Sequence, residues 1–368
     1  MVVPTTVEKR AARPFRRSFT ECRRAYHPQP MRRVVRRLLA AVEVSRLTIA
    51  FGAVSNVWLM ALLARSDPRL ADAPVVTMPL WQVLAAGALA AVGFLAFGAA
   101  LNDFLDAKHD RAFAPERPLP AGALPARRAI QLAAISLCAG LLGAIAFGTT
   151  SAVTGLALAA LILVYDAFAK HVPALGIVLA GLSTALSMLI PSVEVGALIP
   201  VWLAMSQTMG VGALAYVLGD KRPALTRRAV LIGAVGWIFW TTVLVALELQ
   251  RNDGALLARW SDPVMLAIPA ATVVLGGLLG GWKLGVWRLG SSRPSGADTS
   301  TVRGPRASER ILRYGSLWKS LVAAAWLAAA GMPVAAAWIG GIAIAIFTAV
   351  AIVREAGPQL AEPVGWRS

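Results

Sequence analysis

The chain has 368 residues, of which 57% are hydrophobic and only 15% charged. A soluble domain averages roughly 45–50% apolar and about 25% charged residues, so a water-soluble enzyme and a wholly disordered chain are both excluded. The net charge of +17 would suggest nucleic acid, but no folded basic domain carries it, and the basic residues sort along the chain as membrane orientation requires.

Residues 1–40 form a basic tail with Arg13, Arg16, Arg17, Arg23, Arg24, Arg32, Arg33, Arg36 and Arg37. The tail is expected to be disordered and cytoplasmic, and it lacks the apolar stretch of a secretory signal. An Arg-rich, acid-poor start also fits an organelle transit peptide. However, Arg outnumbers Lys 30 to 6 along the whole chain. With abundant Ala and Gly, that bias looks like a GC-rich bacterial coding sequence, and Met31 is an alternative start.

A bilayer-spanning helix needs about 17–25 apolar residues. Such runs fall at 47–64, 80–101, 129–148, 149–165, 174–193, 197–218, 229–247, 263–282, 317–332 and 334–353. Only Gly331, Met332 and Pro333 divide the last two, which leaves a tight hairpin or one broken helix and a count of nine or ten spans. The expected fold is all-α, a multi-pass transmembrane bundle. Residues 41–289 would form its core and 290–312, rich in Gly, Ser, Pro and Arg, a flexible linker. Residues 313–354 would return as the final helices and 355–368 as a tail.

With the N-terminus in the cytoplasm, 32 of the 36 Lys and Arg residues fall in cytoplasmic segments, Lys319 among them. The other 4 are Arg65, Arg69, Arg251 and Arg259 in outer loops. This asymmetry supports a lipid-bilayer protein of the cell (inner) membrane with its functional face in the cytoplasm. Span centres read as nearly charge-free, with Ser55, Asn56 and Gln207 as modest polar residues. That disfavours an ion-coupled carrier. Cys22 and Cys138 form no CxxC pair, and His27, His109 and His171 are scattered, so neither builds a metal site.

The chemistry-bearing run closes the second span: Asn102-Asp103-Phe104-Leu105-Asp106-Ala107-Lys108-His109-Asp110. If the helix continues through it, Asn102, Asp106 and Asp110 stack at i, i+4 and i+8, and Asp103 lies i+3 from Asp106. Three carboxylates on one face repel each other, and the helix C-terminus adds further negative potential. A hard divalent cation resolves the conflict. Mg²⁺ takes carboxylate oxygens and keeps waters and substrate phosphates as its other ligands. The same membrane face offers Lys108, Arg111, Arg117, Lys170, Lys221, Arg222, Arg227 and Arg228, cations suited to a diphosphate. One echo also suggests a duplicated four-helix unit: Glu116-Arg117-Pro118-Leu119 before Arg127-Arg128 resembles Asp220-Lys221-Arg222-Pro223 before Arg227-Arg228.

The run NDFLDAKHD is similar to the NDxxDxxxD signature of the UbiA superfamily of membrane prenyltransferases. Arg117-Pro118-Leu119-Pro120-Ala121-Gly122 resembles that family's RPLPSG loop. Tyr165 and Lys170 match a tyrosine and lysine five apart after the fourth helix, and Gly176 and Gly181 match glycines that follow. The resemblance covers roughly residues 40–350. It implies about nine transmembrane helices around a central cavity, and Mg²⁺ bridging two aspartate motifs to a prenyl diphosphate. It also implies transfer of the isoprenoid to a hydrophobic, often aromatic, small acceptor. By the same resemblance Asn102, Asp103, Asp106 and Asp110 would hold the metal. Arg117 and Lys170 would grip the diphosphate, and Tyr165 would sit near the leaving oxygen.

The second aspartate motif departs from the family. Where a DxxxD pair is expected, the chain reads Tyr216-Val217-Leu218-Gly219-Asp220-Lys221-Arg222. Asp220 is the one acid left at a catalytic position, and Lys221 and Arg222 could take the place of a metal at the diphosphate. The GDKRPALTRR form resembles the UbiA-like branch called EboC, from clusters linked to metabolite export. A second function therefore stands beside prenyl transfer, namely non-catalytic binding or export of an isoprenoid or other lipid-like metabolite. Asp166 could supply a compensating carboxylate or only cap its loop. CDP-alcohol phosphotransferases also carry Asp clusters, but the Gly and Ala-Arg of their signature are missing after Asp106.

Overall fold

The computed structural model describes residues 47–113, 119–122, 124–219, 223–254, 263–283 and 305–361. The basic tail, most of the predicted linker, and Arg117, Asp220, Lys221 and Arg222 lie outside the described residues, and with them half of the duplicated loop pattern. The chain divides into a unit of Arg46–Val350 and a second of Met1–Ser45 with Ala351–Ser368. The described part of the second unit is helix from residue 351 to Ala361.

Among the described residues ten long helices follow one another: α1 (Leu47–Arg65), α2 (Leu80–Leu105), α3 (Ala126–Ile145), α4 (Thr149–Ala167), α5 (Pro173–Leu189), α6 (Leu198–Leu218), α7 (Arg227–Arg251), α8 (Pro263–Lys283), α9 (Pro305–Ala329) and α10 (Pro333–Ala361). Eight are long and apolar enough to cross a bilayer, α5 is a shorter apolar helix, and α9 is more polar. Each helix satisfies its own backbone, which lipid cannot do for it.

The last two helices form a hairpin. Gly331 adopts φ +77°, a conformation that glycine takes without steric cost. Met332 N–H donates to Leu327 O at 2.9 Å and Gly331 N–H to Ala328 O at 3.1 Å. These two bonds are the paired closure that ends a helix with a left-handed glycine. Pro333 then opens α10 at a position that needs no N–H, and the Tyr314 and Phe347 rings meet at 5.1 Å across the hairpin. The linker reading of 290–312 ran too far, because α9 is already helical from Pro305. Its first half is polar, so an apolar-run criterion starts the helix late. The tail reading of 355–368 likewise gives way to helix through Ala361.

Burial separates inner from outer helices. Of the apolar window, 61% is buried in α1 and 50% in α6, against 11% in α7 and 6% in α8. Leu231, Val235 and Phe239 on α7 are exposed apolar side chains, a face suited to lipid and costly in water. Leu59, Met60 and Leu63 of α1, Phe94 of α2, Met188 of α5, Met205 of α6 and Leu327 of α9 share the main core. The tightest packing joins α2 to α3. A Cβ at Gly93 would run into the Gly140 backbone, and one at Gly143 into that of Ala90. Small residues here let two backbones touch, as in membrane helix pairs.

Arg65, Arg69 and Arg251 are structural ties. Arg65 donates to Val75 O and Met78 O at 2.8 and 2.7 Å. Arg69 pairs with Asp67 at 2.8 Å and donates to Arg251 O at 2.7 Å. Its hydrogen bond to Asp67 holds the guanidinium above its usual pKa. Arg251 donates to Val195 O at 3.1 Å, and buried Glu248 accepts the Leu198 N–H at the start of α6 at 2.8 Å. These cations cap chain ends where the helices turn.

Candidate functional site

Hydrogen bonds that join Lys170 to Asn102 and Asp106 at the C-terminus of α2, and to Tyr216 near the C-terminus of α6, bring these ends together at the α4–α5 connection. α2 ends at Leu105 and Asp106 is its C-cap, with φ −81° and ψ −5°. A short helix, Ala107–Phe113, follows. The i to i−4 bonding still crosses the junction, with Asp106 N–H to Asn102 O at 2.9 Å and Asp110 N–H to Asp106 O at 2.8 Å.

The three carboxylates differ in exposure. Asp103 is exposed, Asp106 is partly buried and Asp110 is buried. Among the described residues no three Asp, Glu, His or Cys side chains come together as a metal-holding group. Asp106, where α2 gives way to the short helix, has a near-zero ψ that departs from the helical value.

Two oxygens of the run do converge. Lys170 Nζ donates to Asp106 Oδ1 at 2.6 Å and to Asn102 Oδ1 at 3.0 Å. Lys170 sits in a 3₁₀ turn, Ala169–His171, between α4 and α5. Gly176 lets α5 close on this turn, since its Cβ would stand 3.1 Å from Ala169 O and 3.4 Å from Lys170 Cα. The pair is only partly exposed, 13% for the lysine side chain and 23% for the aspartate, so solvent screens it less than a surface ion pair.

The remaining predicted residues divide. Tyr165 is half-buried near the end of α4. Asp166 is buried, and its Oδ2 lies 3.8 Å from where a Gly98 Cβ would stand, one turn before Asn102 on α2. It therefore faces the interior between α4 and α2, which the loop-cap reading did not anticipate. Asp103 and Asp110 flank the pair in sequence, the first exposed and the second buried.

Tyr216 is the residue whose role the sequence hid. It stands where the family's second motif begins with an acid, and its hydroxyl donates to Lys170 O at 3.1 Å. The α6 end is thereby tied to the turn that delivers Lys170. Tyr216→Phe is expected to leave the fold intact and to raise the ligand concentration needed for half-saturation by roughly ten-fold, the loss of one buried hydrogen bond. A KM-against-kcat comparison checks it, because a purely structural role would instead lower the melting temperature with KM unchanged.

The arrangement is thus an Asn–Asp oxygen pair that holds the Lys170 ammonium, with a half-buried tyrosine nearby, at one end of an apolar bundle. Two solved structures are similar at 16% identity each. One is a study of digeranylgeranylglyceryl phosphate synthase in membranes, with TM-score 0.45, covering 77% of this chain and 98% of that one. The other is an apo UbiA homologue from Aeropyrum pernix K1, with TM-score 0.47, covering 81% and 97%. No curated protein matches the chain. The model of the UbiA prenyltransferase family matches residues 75–298, more than half of the sequence, and the chain belongs to that family.

Proposed function

We propose that this protein is an integral-membrane prenyltransferase that moves an isoprenoid group from a prenyl diphosphate to a hydrophobic small acceptor, with the Asp106–Lys170 end facing the cytoplasm. The observation that carries the reading is the convergence of Asn102 Oδ1 and Asp106 Oδ1 on one cationic atom, Lys170 Nζ. Hard oxygen donors already arranged around a positive charge fit Mg²⁺. Asn102 and Asp106 would hold that ion, with Asp103 and Asp110 as flanking acids. When bound, it supplies charge neutralisation at the diphosphate.

In this reading the allylic C–O bond breaks and its electron pair leaves with the diphosphate. The acceptor then forms the new bond to the allylic carbon and gives up a proton. Lys170 presents a cation to the developing anion. Arg117, Lys221 and Arg222 are proposed to grip the same group, Tyr165 to stand by the leaving oxygen, and Asp220 to act beside it. The apolar helices keep water from the cation.

Engagement of Tyr216 with Lys170, in place of a second-motif acid, favours one alternative: a non-catalytic member that binds or helps export an isoprenoid or lipid-like metabolite. Purified full-length protein with radiolabelled farnesyl or geranylgeranyl diphosphate separates the two. Prenyl transfer predicts diphosphate release that stops in EDTA and returns with Mg²⁺. Tight binding without release, whatever the acceptor, would reject it and support the alternative.

A further inference from the structure

The helix centres are not charge-free. Lys319, expected on the cytoplasmic side of its span, lies inside the bundle. Its neighbour Ser320 receives a hydrogen bond from Ser55 of α1 at 3.0 Å, and Lys319 Nζ donates to Thr208 Oγ1 of α6 at 3.4 Å. Ser55 falls near the middle of the 19-residue α1 and Thr208 near the middle of the 21-residue α6. The ammonium therefore sits near mid-depth of two spans, where an ionisable group is costly and marks a function.

Nothing described on the protein neutralises it. Among the described residues no carboxylate pairs with Lys319, whose bond is the one to Thr208. Its recorded bond is long, and the Thr208 hydroxyl already serves Ala204 O at 2.8 Å and Thr184 Oγ1 at 3.0 Å. An ammonium has three donors, so at least one is left to offer. Lys319, Thr208 and Thr184 each keep part of their surface accessible. At the same level Gln207, next to Thr208, is buried with both amide atoms unpartnered, and buried Asn56, next to Ser55, has an unpartnered Nδ2. Such groups are costly to bury without partners.

We infer that Lys319, with the Thr208 and Thr184 hydroxyls, forms a second ligand subsite inside the bundle that takes a carboxylate. Anionic oxygens answer the ammonium and the hydroxyls together. The subsite is distinct from the Asp106–Lys170 end. Thr208 precedes Tyr216 by eight residues, about 12 Å along α6. That separation leaves room for an acceptor about one ring long at a near-attack distance of about 3 Å. Acceptor recognition is the use this subsite has if prenyl transfer holds, and binding itself does not depend on that reading.

Two sources of a carboxylate are tested separately. Full-length protein in phosphatidylcholine nanodiscs is titrated with benzoate against benzamide, and with oleate against oleamide. At least one acid is expected to bind about ten-fold or more tightly than its neutral amide. Preference for benzoate identifies a small aqueous acid, and preference for oleate a bilayer lipid. Lys319→Met should abolish the preference, Lys319→Arg should keep it within a few-fold, and farnesyl diphosphate binding should be unchanged in both. Thr208→Val, which leaves the lysine in place, should reduce the preference even if Lys319→Met fails to fold. Equal binding of acid and amide by the wild type, or a preference that survives in Lys319→Met, overturns the inference. Loss of farnesyl diphosphate binding alone would count against the prenyl-transfer reading instead.

Discussion

Alanine at Asp106 is expected to lower Mg²⁺-dependent diphosphate release by roughly 10²–10³-fold, the range seen when one preorganised electrostatic partner is removed. Alanine at Asp103 should lower it by less than about ten-fold, since an exposed charge contributes roughly 1 kcal/mol at most. The contrast follows from position. Asp106 Oδ1 touches Lys170 Nζ at 2.6 Å, while Asp103 faces outward. A continuous helical face of three acids would instead make the two substitutions equally harmful, so the pair of measurements decides between the two geometries. Asp106→Asn keeps an oxygen but drops the charge and should fall between. Lys170→Met should be nearly as severe as Asp106→Ala, and the double variant little worse than either, because residues that act as one unit lose their effect together. Strictly additive losses would show that the aspartate and the lysine serve separate tasks.

How much of this was legible before any coordinates depends on what kind of information each feature uses. The helix positions followed from apolar runs, because a bilayer accepts little else. The run 197–218 became Leu198–Leu218, and 80–101 became Leu80–Leu105. Asp106 and Lys170, 64 residues apart, were singled out separately by their pattern and do meet. The misses are tertiary or local. The turn at Asp106 depends on one ψ angle that spacing cannot reveal. The depth of Lys319 depends on which residues of α1 and α6 lie beside it, and its helix begins in polar sequence that hydropathy passes over. Tyr216 looked like a missing acid. Only the approach of α6 to the Lys170 turn shows it as a positioning residue with a partner of its own.

The second large effect concerns the scaffold that holds Asn102 and Asp106. Gly93→Ala and Gly143→Ala each place a methyl group against backbone of the facing helix, Gly140 in one case and Ala90 in the other. Backbone cannot rotate away as a side chain would, so α2 and α3 must separate. The cost should reach or exceed the roughly 1–3 kcal/mol of ordinary overpacking. Gly233→Ala is the matched control: it also lies within a long helix, and nothing stands within 4 Å of its added Cβ. There alanine gains helix propensity of up to about 1 kcal/mol. Thermal melting of the purified protein should therefore fall for the first two and hold or rise for the third. Activity adds an independent reading. α2 ends in the Asn102–Asp106 pair, and a displacement of about 1 Å at a reacting site costs on the order of 10²-fold in rate. Gly93→Ala should thus lose turnover even at temperatures where it stays folded, while Gly233→Ala keeps it. Equal melting temperatures for all three variants would mean that the close α2–α3 contact is not what sets the position of the site.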